Sequence, residues 1–282
     1  MEKLMLGKPV ADKISNELIN KVKTLQKKPN LAIVRVGEKE ADIAYENSAI
    51  KRIENVGMTW ESHKLPEDVS EELLIKKIKE LNNDNGVNGI LLFNPLPKHI
   101  DAKKIGSSID PLKDIDSLNP INMAKLIYKE EDAFVPCTPV AAMEILKHYG
   151  VKLEGAHAVV IGRSTVVGKP ISLLLLDEHA TVSICHSRTP NVEEIASKAD
   201  ILVLAIGSPK FADENFVKEG AVVIDVGINI DDEGKLSGDV DFDSVIDKVS
   251  LITPVPRGVG SVTTAILAKH LLRAYELQEA SN

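Results

Sequence analysis

Short apolar runs bounded by turn residues alternate along most of the chain with segments whose apolar side chains recur at i, i+3 and i+4. This alternation predicts an α/β fold with largely parallel strands, because each return to a parallel strand needs a crossover and a helix supplies one. Two series can be read. In the first, 31–36, 60–65 and 89–93 are strands, with helices over 40–55 and 70–82 between them and a leading helix over 10–25. In the second, 158–161, 181–184, 201–204, 222–224 and 251–252 are near-continuous β-branched and leucine runs, the pattern of strands buried on both faces. A helix starting at Pro139 leads into the second series, and 261–277 reads as a closing helix. Between the series, 94–138 is rich in Pro, Asp and Asn and weakly periodic, which predicts loops with one short helix over 122–128. Loops this long in a compact domain tend to be functional.

A length of 282 residues with 44% hydrophobic content allows two domains with substantial cores. The 34 basic and 42 acidic side chains leave a formal charge of −8, which argues against nucleic acid or an anionic membrane as partner, since either requires a basic field. Aromatic residues make up only 4%, which further weakens any single-strand stacking platform. The opening MEKLMLGKPVADKI lacks the apolar core of a signal peptide, and no stretch approaches the roughly 18 apolar residues of a membrane span, so a cytoplasmic protein is expected. Two cysteines, Cys137 and Cys185, are too few and too far apart for a disulfide framework or a spaced zinc site, and each reads as a small buried hydrophobe.

The segment Val159-Val160-Ile161-Gly162-Arg163-Ser164-Thr165-Val166-Val167-Gly168-Lys169-Pro170 places glycines where a strand turns into a helix. Such a turn aims backbone N–H groups at a phosphate, and the helix dipole adds to the attraction. The fingerprint G-x-G-x-x-G is not met, because Ser164 holds the second glycine position and Gly168 comes one residue late. Taken alone, the segment fits an ordinary tight turn as well as a nucleotide site. An NAD site has an Asp or Glu about 20 residues on to bind the ribose. Here that strand runs out into Cys185-His186-Ser187-Arg188, a hydroxyl and a guanidinium without a carboxylate. This favours NADP over NAD, with NAD left open; the alternative is that Ser187 and Arg188 merely begin a solvated loop. Gly207, in Ala205-Ile206-Gly207-Ser208-Pro209, and Ile228, in Asp225-Val226-Gly227-Ile228-Asn229, follow later strands where backbone can approach a cofactor.

Several strings in order now resemble one family. They are Val159 to Pro170, Ala180 to Ser187, Val223 to Asn229, Gly238-Asp239-Val240-Asp241-Phe242 and Ile252-Thr253-Pro254-Val255-Pro256. In the first half they are Tyr45 opening a helix, Gly89-Ile90-Leu91-Leu92 before Pro95-Leu96-Pro97, Lys113-Asp114-Ile115-Asp116 and Pro136-Cys137-Thr138-Pro139. Together they resemble the methylenetetrahydrofolate dehydrogenase/methenyltetrahydrofolate cyclohydrolase family of the FolD type, over nearly the whole chain. The resemblance implies a folate-binding catalytic α/β domain over 1–138, completed by a helix at 261–282, and a Rossmann-like NAD(P)-binding domain over 139–260. It also implies a homodimer whose folate faces a nicotinamide. The family's aminobenzoate-stacking tyrosine falls on Tyr45 and its pterin-binding aspartate on Asp116, the two expected catalytic positions, with Pro256, Gly258 and Val259 as further folate contacts. On the nucleotide side it implies Gly162, Arg163, Ser164, Ser187, Arg188, Gly207 and Ile228, and no metal. An aromatic face suits a planar ligand, and a carboxylate suits the donors of a pterin edge. Without the family, Tyr45 would read as a core or rim aromatic and Asp116 as a loop-capping residue.

The chain also departs from the pattern. The family lysine four residues after the tyrosine is Ala49, and Lys51 lies about 200° further round the helix, where it reads as a surface charge. The glutamine that accompanies the lysine is Phe93. Arg257 stands at the first glycine of the Pro-Gly-Gly-Val-Gly loop; if that position takes positive φ, an arginine there costs on the order of 1 kcal/mol. Ser117, Ala124 and Ala141 replace three further glycines, an exchange expected to matter less because small residues remain. Hydride transfer mainly needs two rings held together, whereas hydrolysis of a methenyl cation gains roughly 10²–10⁴-fold from a placed acid–base group. The expectation is therefore an NADP-dependent dehydrogenase with weak or absent cyclohydrolase activity. A fully bifunctional enzyme, a catalytically silent binding paralogue and a dehydrogenase of another two-domain α/β family remain as alternatives.

Overall fold

The two series of strands become two separate parallel sheets, one in each of two units. A computed structural model describes residues 3–231 and 234–280. One unit gathers Lys13–Pro136 and the chain from Thr264 onward; the other gathers the chain up to Asp12 and Cys137–Thr263. The divisions fall inside α1 (Gly7–Lys23) and α10 (Gly260–Ala280).

In the first unit, β1 (Asn30–Val36) lies between β2 (Thr59–Leu65) and β3 (Gly89–Leu92), all parallel. The helices α2 (Glu40–Asn55) and α3 (Glu71–Asn83) follow β1 and β2. Ala32, Val34, Ile90 and Leu92 pack against Leu74, Ile78 and Leu81 of α3. The side chain of Ser70 accepts from the Leu73 N–H at the start of α3. Its far end is closed by a buried lysine: Lys113 Nζ donates to the carbonyls of Leu81, Asn82 and Asp84 at 3.0, 2.8 and 2.8 Å. Burial pushes this ammonium down from its ordinary range, against the pull of Asp110 and Asp84.

The stretch read as loops with one short helix holds two helices, α4 (Ala102–Ser108) and α5 (Pro120–Ile127). Side chains start both: the Asp101 carboxylate accepts from the N–H groups of Lys103 and Lys104, and Asn119 accepts from that of Ile121 ahead of Pro120. Weak periodicity hid α4, whereas its cap was visible in the sequence.

The second unit carries the order β10 (Leu251–Ile252), β7 (Val222–Asp225), β6 (Ile201–Leu204), β4 (His157–Ile161), β5 (Thr181–Cys185), all parallel. The helices α6 (Cys137–His148), α7 (Gly168–Asp177) and α8 (Val192–Ala196) accompany it. Strands β4, β6 and β7 are buried almost throughout, as their runs predict. Strand β5 departs from that expectation: it is an edge, and Ile184 is exposed. A hairpin of β8 (Asn229–Ile230) and β9 (Leu236–Ser237) and a short α9 (Phe242–Val245) were not foreseen.

The first residues belong here, contrary to a boundary that keeps 1–138 together. Leu4 bridges Ile252, the Met5 N–H donates to the Ile252 carbonyl at 2.8 Å, and Tyr149 Oη donates to the Leu6 carbonyl at 3.0 Å. The chain start thus extends the β10 edge. No helix among the described residues is long and apolar enough to cross a membrane.

Lys113 is the test of this framework. Lys113→Met keeps the apolar stem and strands the acceptors at the end of α3, and is expected to lower unfolding free energy by about 2–3 kcal/mol, read from urea denaturation.

Candidate active site

Order β6-β4-β5 means that the connections after β4 run to opposite sides, so the ends of β4 and β6 form the switch point where open α/β sheets take ligands. Gly162 follows β4 there with φ +133°, and a Cβ on it would stand 2.4 Å from the Ala205 carbonyl oxygen beyond β6. Gly168 is equally obligatory, since its Cβ would meet the Gly162 carbonyl oxygen at 2.3 Å. The missing second glycine has a use as serine: Ser164 Oγ accepts from the N–H groups of Val167 and Gly168 at 3.0 and 3.3 Å, fixing the first turn of α7. Arg163 and Ser164 are exposed.

Beyond β5, His186 and Thr189 tie a turn. The His186 N–H donates to Thr189 Oγ1 at 2.9 Å, and the Thr189 N–H to the His186 carbonyl at 2.8 Å. The Arg188 N–H donates to His186 Nδ1 at 3.1 Å, so Nδ1 is the unprotonated nitrogen. Ser187 and Arg188 stand exposed at its tip. The switch-point cradle and this hydroxyl–guanidinium tip fit a dinucleotide.

Two buried aspartates, to which the sequence reading gave no role, hold the remaining loops. Asp239 is completely buried and accepts from the N–H groups of Ile206, Gly207 and Ser208 and from Asn229 Nδ2, at 2.8 to 3.2 Å. Asp225 accepts from the N–H groups of Gly227, Asp239 and Val240, each at 3.0 Å. Their packing is reciprocal: a Cβ on Gly227 would collide with the Asp239 carboxylate, and one on Gly238 with that of Asp225. Burial, countered by the bonds from Asp239 and Val240, pushes the Asp225 carboxyl up to about 6. Gly207 (φ +68°) and Ile228 are thereby presented exposed, with Ile228 Cδ1 3.3 Å from the Cβ position of Gly260.

In the loop 254–260, Arg257 adopts φ +82°, so the backbone cost of an arginine there applies, and its carbonyl accepts from Gly7 at 2.8 Å. Pro256 and Arg257 form its exposed part; Gly258 and Val259 are buried.

In the other unit, Tyr45 lies half-buried on α2 and its ring meets Phe93 edge-on, with centroids 5.8 Å apart at 77°. Ala49, one turn on, is completely buried, whereas Lys51 is exposed. Beneath them the buried Glu46 is gripped from both neighbouring strands. Arg35 Nε donates to one oxygen at 2.7 Å and Ser62 Oγ to the other at 2.5 Å, while the same guanidinium reaches the Gly37 carbonyl. Burial raises the Glu46 carboxyl, but the bonds from Ser62 and Arg35 outweigh it and hold it below its usual range. The roll of α2 is set by this network.

The string Lys113-Asp114-Ile115-Asp116 divides its labour. Lys113 closes α3, and Asp114 accepts from the N–H groups of Leu118 and Asn119 and from Asn122 Nδ2 at 2.8 to 3.0 Å. Burial outweighs these bonds and raises the Asp114 carboxyl to about 6. The Ile115 carbonyl accepts from His270 Nδ1 at 2.9 Å. His270 is buried, packs edge-on against Phe134, and burial drives its pKa down to about 4 against the pull of the Ile115 bond. Asp116 is left half-buried at the end of this scaffold. Ser117 corrects an expectation: it sits at φ +59°, so replacing a glycine there carries a backbone cost that size alone does not reveal. Ala124 and Ala141 lie in helices, where alanine is at home.

Family models decide what these two halves are. The catalytic-domain model of tetrahydrofolate dehydrogenase/cyclohydrolase matches residues 5–116, and the NAD(P)-binding-domain model matches 136–279. The chain belongs to the tetrahydrofolate dehydrogenase/cyclohydrolase family. It is similar to the bifunctional protein FolD of Clostridioides difficile, 56% identical over 98% of this chain and 97% of that one. Among solved structures it is similar to the bifunctional FolD of Campylobacter jejuni, with 40% identity, TM-score 0.95 and coverage of 98% and 99%. A second is a FolD of Trypanosoma brucei solved with NADP cofactor and inhibitor, with 35% identity, TM-score 0.92 and coverage of 98% and 97%.

Within a tetrahydrofolate dehydrogenase/cyclohydrolase frame, the positions the sequence reading left without a role are Asp225, Asp239, Lys113, Asp114 and His270. Their signal was present as Asp-x-Gly at 225–227 and Gly-Asp at 238–239, but each half is common, and only the fold shows that they interlock.

Asp225 makes a pH signature. Its folded pKa, about 6, exceeds the ordinary 3.8, so between these values the folded state binds more protons than the unfolded chain. Its contribution to stability is fullest below about pH 4 and is lost as pH rises through 6. Asp225→Asn cannot ionise, so its stability relative to the parent should improve steadily between pH 4 and 7 in denaturant titrations.

Proposed function

We propose that the protein oxidises 5,10-methylenetetrahydrofolate to 5,10-methenyltetrahydrofolate with NADP as acceptor, and that its hydrolysis of the methenyl product is weak or absent. The observation that carries this reading is a nucleotide cradle with every close approach intact in a chain whose family lysine position is a buried methyl group, Ala49. Relatives named bifunctional, and one relative solved with NADP, support the substrate and the cofactor.

Bound NADP supplies the hydride acceptor. The residues of this chain bind and orient. The turn at Gly162, Arg163 and Ser164 faces phosphate with backbone donors, and Gly207 and Ile228 offer backbone close to the ligand. Ser187 and Arg188 recognise a 2′-phosphate, the guanidinium by charge-assisted hydrogen bonds. Tyr45 offers its ring to the aminobenzoate, and Asp116 accepts from the 2-amino-pyrimidinone edge of the pterin. Pro256, Gly258 and Val259 complete the folate contacts.

Oxidation of the methylene carbon draws its electron push from the folate nitrogen and needs no protein acid or base, so alignment accounts for most of its acceleration. Hydrolysis of the methenyl cation needs water activated and a proton returned to nitrogen. Neither the Ala49 methyl group nor the Phe93 ring can move a proton, and Lys51 faces away from Ala49 on α2.

Two experiments test the reading. Assayed separately, the two steps should diverge, and Ala49→Lys with Phe93→Gln should raise methenyl hydrolysis by about 10²-fold or more. Robust hydrolysis by the parent protein would reject the monofunctional reading. Arg188→Ala should raise the KM for NADP about tenfold or more and leave that for NAD nearly unchanged; equal constants for both nucleotides would remove the 2′-phosphate assignment.

A further inference from the structure

We propose that Phe93 is a positioning residue that holds the Tyr45 ring in the orientation on which substrate stacks. The inference rests on the reading of Tyr45 as the aminobenzoate platform. Phe93 follows β3 directly, is 8% exposed, and its N–H is fixed by the Val34 carbonyl at 3.0 Å. The base of its side chain is therefore anchored to the central strand. From there its ring meets Tyr45 with centroids 5.8 Å apart at 77°, the edge-to-face geometry that the aromatic quadrupole favours.

Rotation about the last torsion of a tyrosine is broad unless a neighbour confines it. A ring set nearly perpendicular confines it. The other freedom of the platform, the roll of α2, is removed by Glu46, held by Arg35 and Ser62. The family glutamine at position 93 offers a flexible amide instead, with no quadrupole to orient a ring. The exchange that takes a polar group from hydrolysis thus gives the dehydrogenase a stiffer platform, with less ordering left to be done on binding.

The test is a double-mutant cycle on the full-length protein, with Phe93→Leu and Phe93→Tyr each made alone and with Tyr45→Leu. The readouts are KM and kcat for methylenetetrahydrofolate, KM for NADP, and Tm. With Tyr45 present, Phe93→Leu should raise the folate KM about two- to tenfold, with KM rather than kcat carrying the loss and the NADP constant unmoved. Phe93→Tyr, which keeps the ring, should recover the parent value. In the Tyr45→Leu background Phe93→Leu should add nothing. Should the leucine variant not fold, Phe93→Met keeps similar volume and takes its place. Equal losses in both backgrounds, or a folate KM indifferent to the ring, would overturn the inference alone. A parent protein that reduces no NADP with this folate would overturn the functional reading as well.

Discussion

A backbone N–H taken out of water must find an acceptor, and in each unit the loops that carry the candidate functional residues are organised by buried carboxylates that meet that requirement. Asp114 collects the donors of 118–122 beside Asp116, Asp239 those of 206–208, and Asp225 those of the segments on either side of the β8–β9 hairpin. Each carboxylate turns a loop without regular structure into one with a defined path. Gly207 and Asp116, which the proposed function turns toward ligand, inherit their positions from these anchors. Two of the anchors bear the cost of burial as a carboxyl raised to about 6, so order at the site is bought with desolvation elsewhere.

The strands and long helices were legible because their hydrophobic periods are strong, and the first sheet appears where 31–36, 60–65 and 89–93 predict it, with Phe93 just past the end of β3. What stayed hidden depends on contacts distant in sequence or, in one helix, on a weak apolar pattern. The polarity of an edge strand such as β5 follows from its place in the sheet, which its run of residues does not encode. Helix α4 has a weak apolar pattern and relies on its Asp101 cap. The same holds within the site. Tyr45, Asp116 and the Gly162 turn stand in strings that a family pattern marks, and so do Asp225, Asp239 and Ile115; that Asp225 interlocks with Asp239 and that His270 supports Ile115 are contacts only the fold shows.

Under the proposed function, the replacements at 49 and 93 separate two chemistries. Proton transfer depends on a particular group at a particular distance; ring alignment depends on shape. On the proposed function, exchanging lysine and glutamine for alanine and phenylalanine removes the first and preserves the second: Ala49 is buried and Phe93 packs on Tyr45. Backbone cost does not follow function so simply: Ser117 and Arg257 both occupy left-handed positions that glycine would hold more easily.

The pairing of Asp114 with His270 around Ile115 has a calorimetric consequence. At pH 5 the folded protein keeps a proton on Asp114, which the unfolded chain releases, and excludes one from His270, which the unfolded chain takes up. The two exchanges cancel, so this unit opens with almost no net proton traffic from these groups. Heats of unfolding measured at that pH in acetate and in a buffer of larger ionisation enthalpy would then carry the same contribution from this pair.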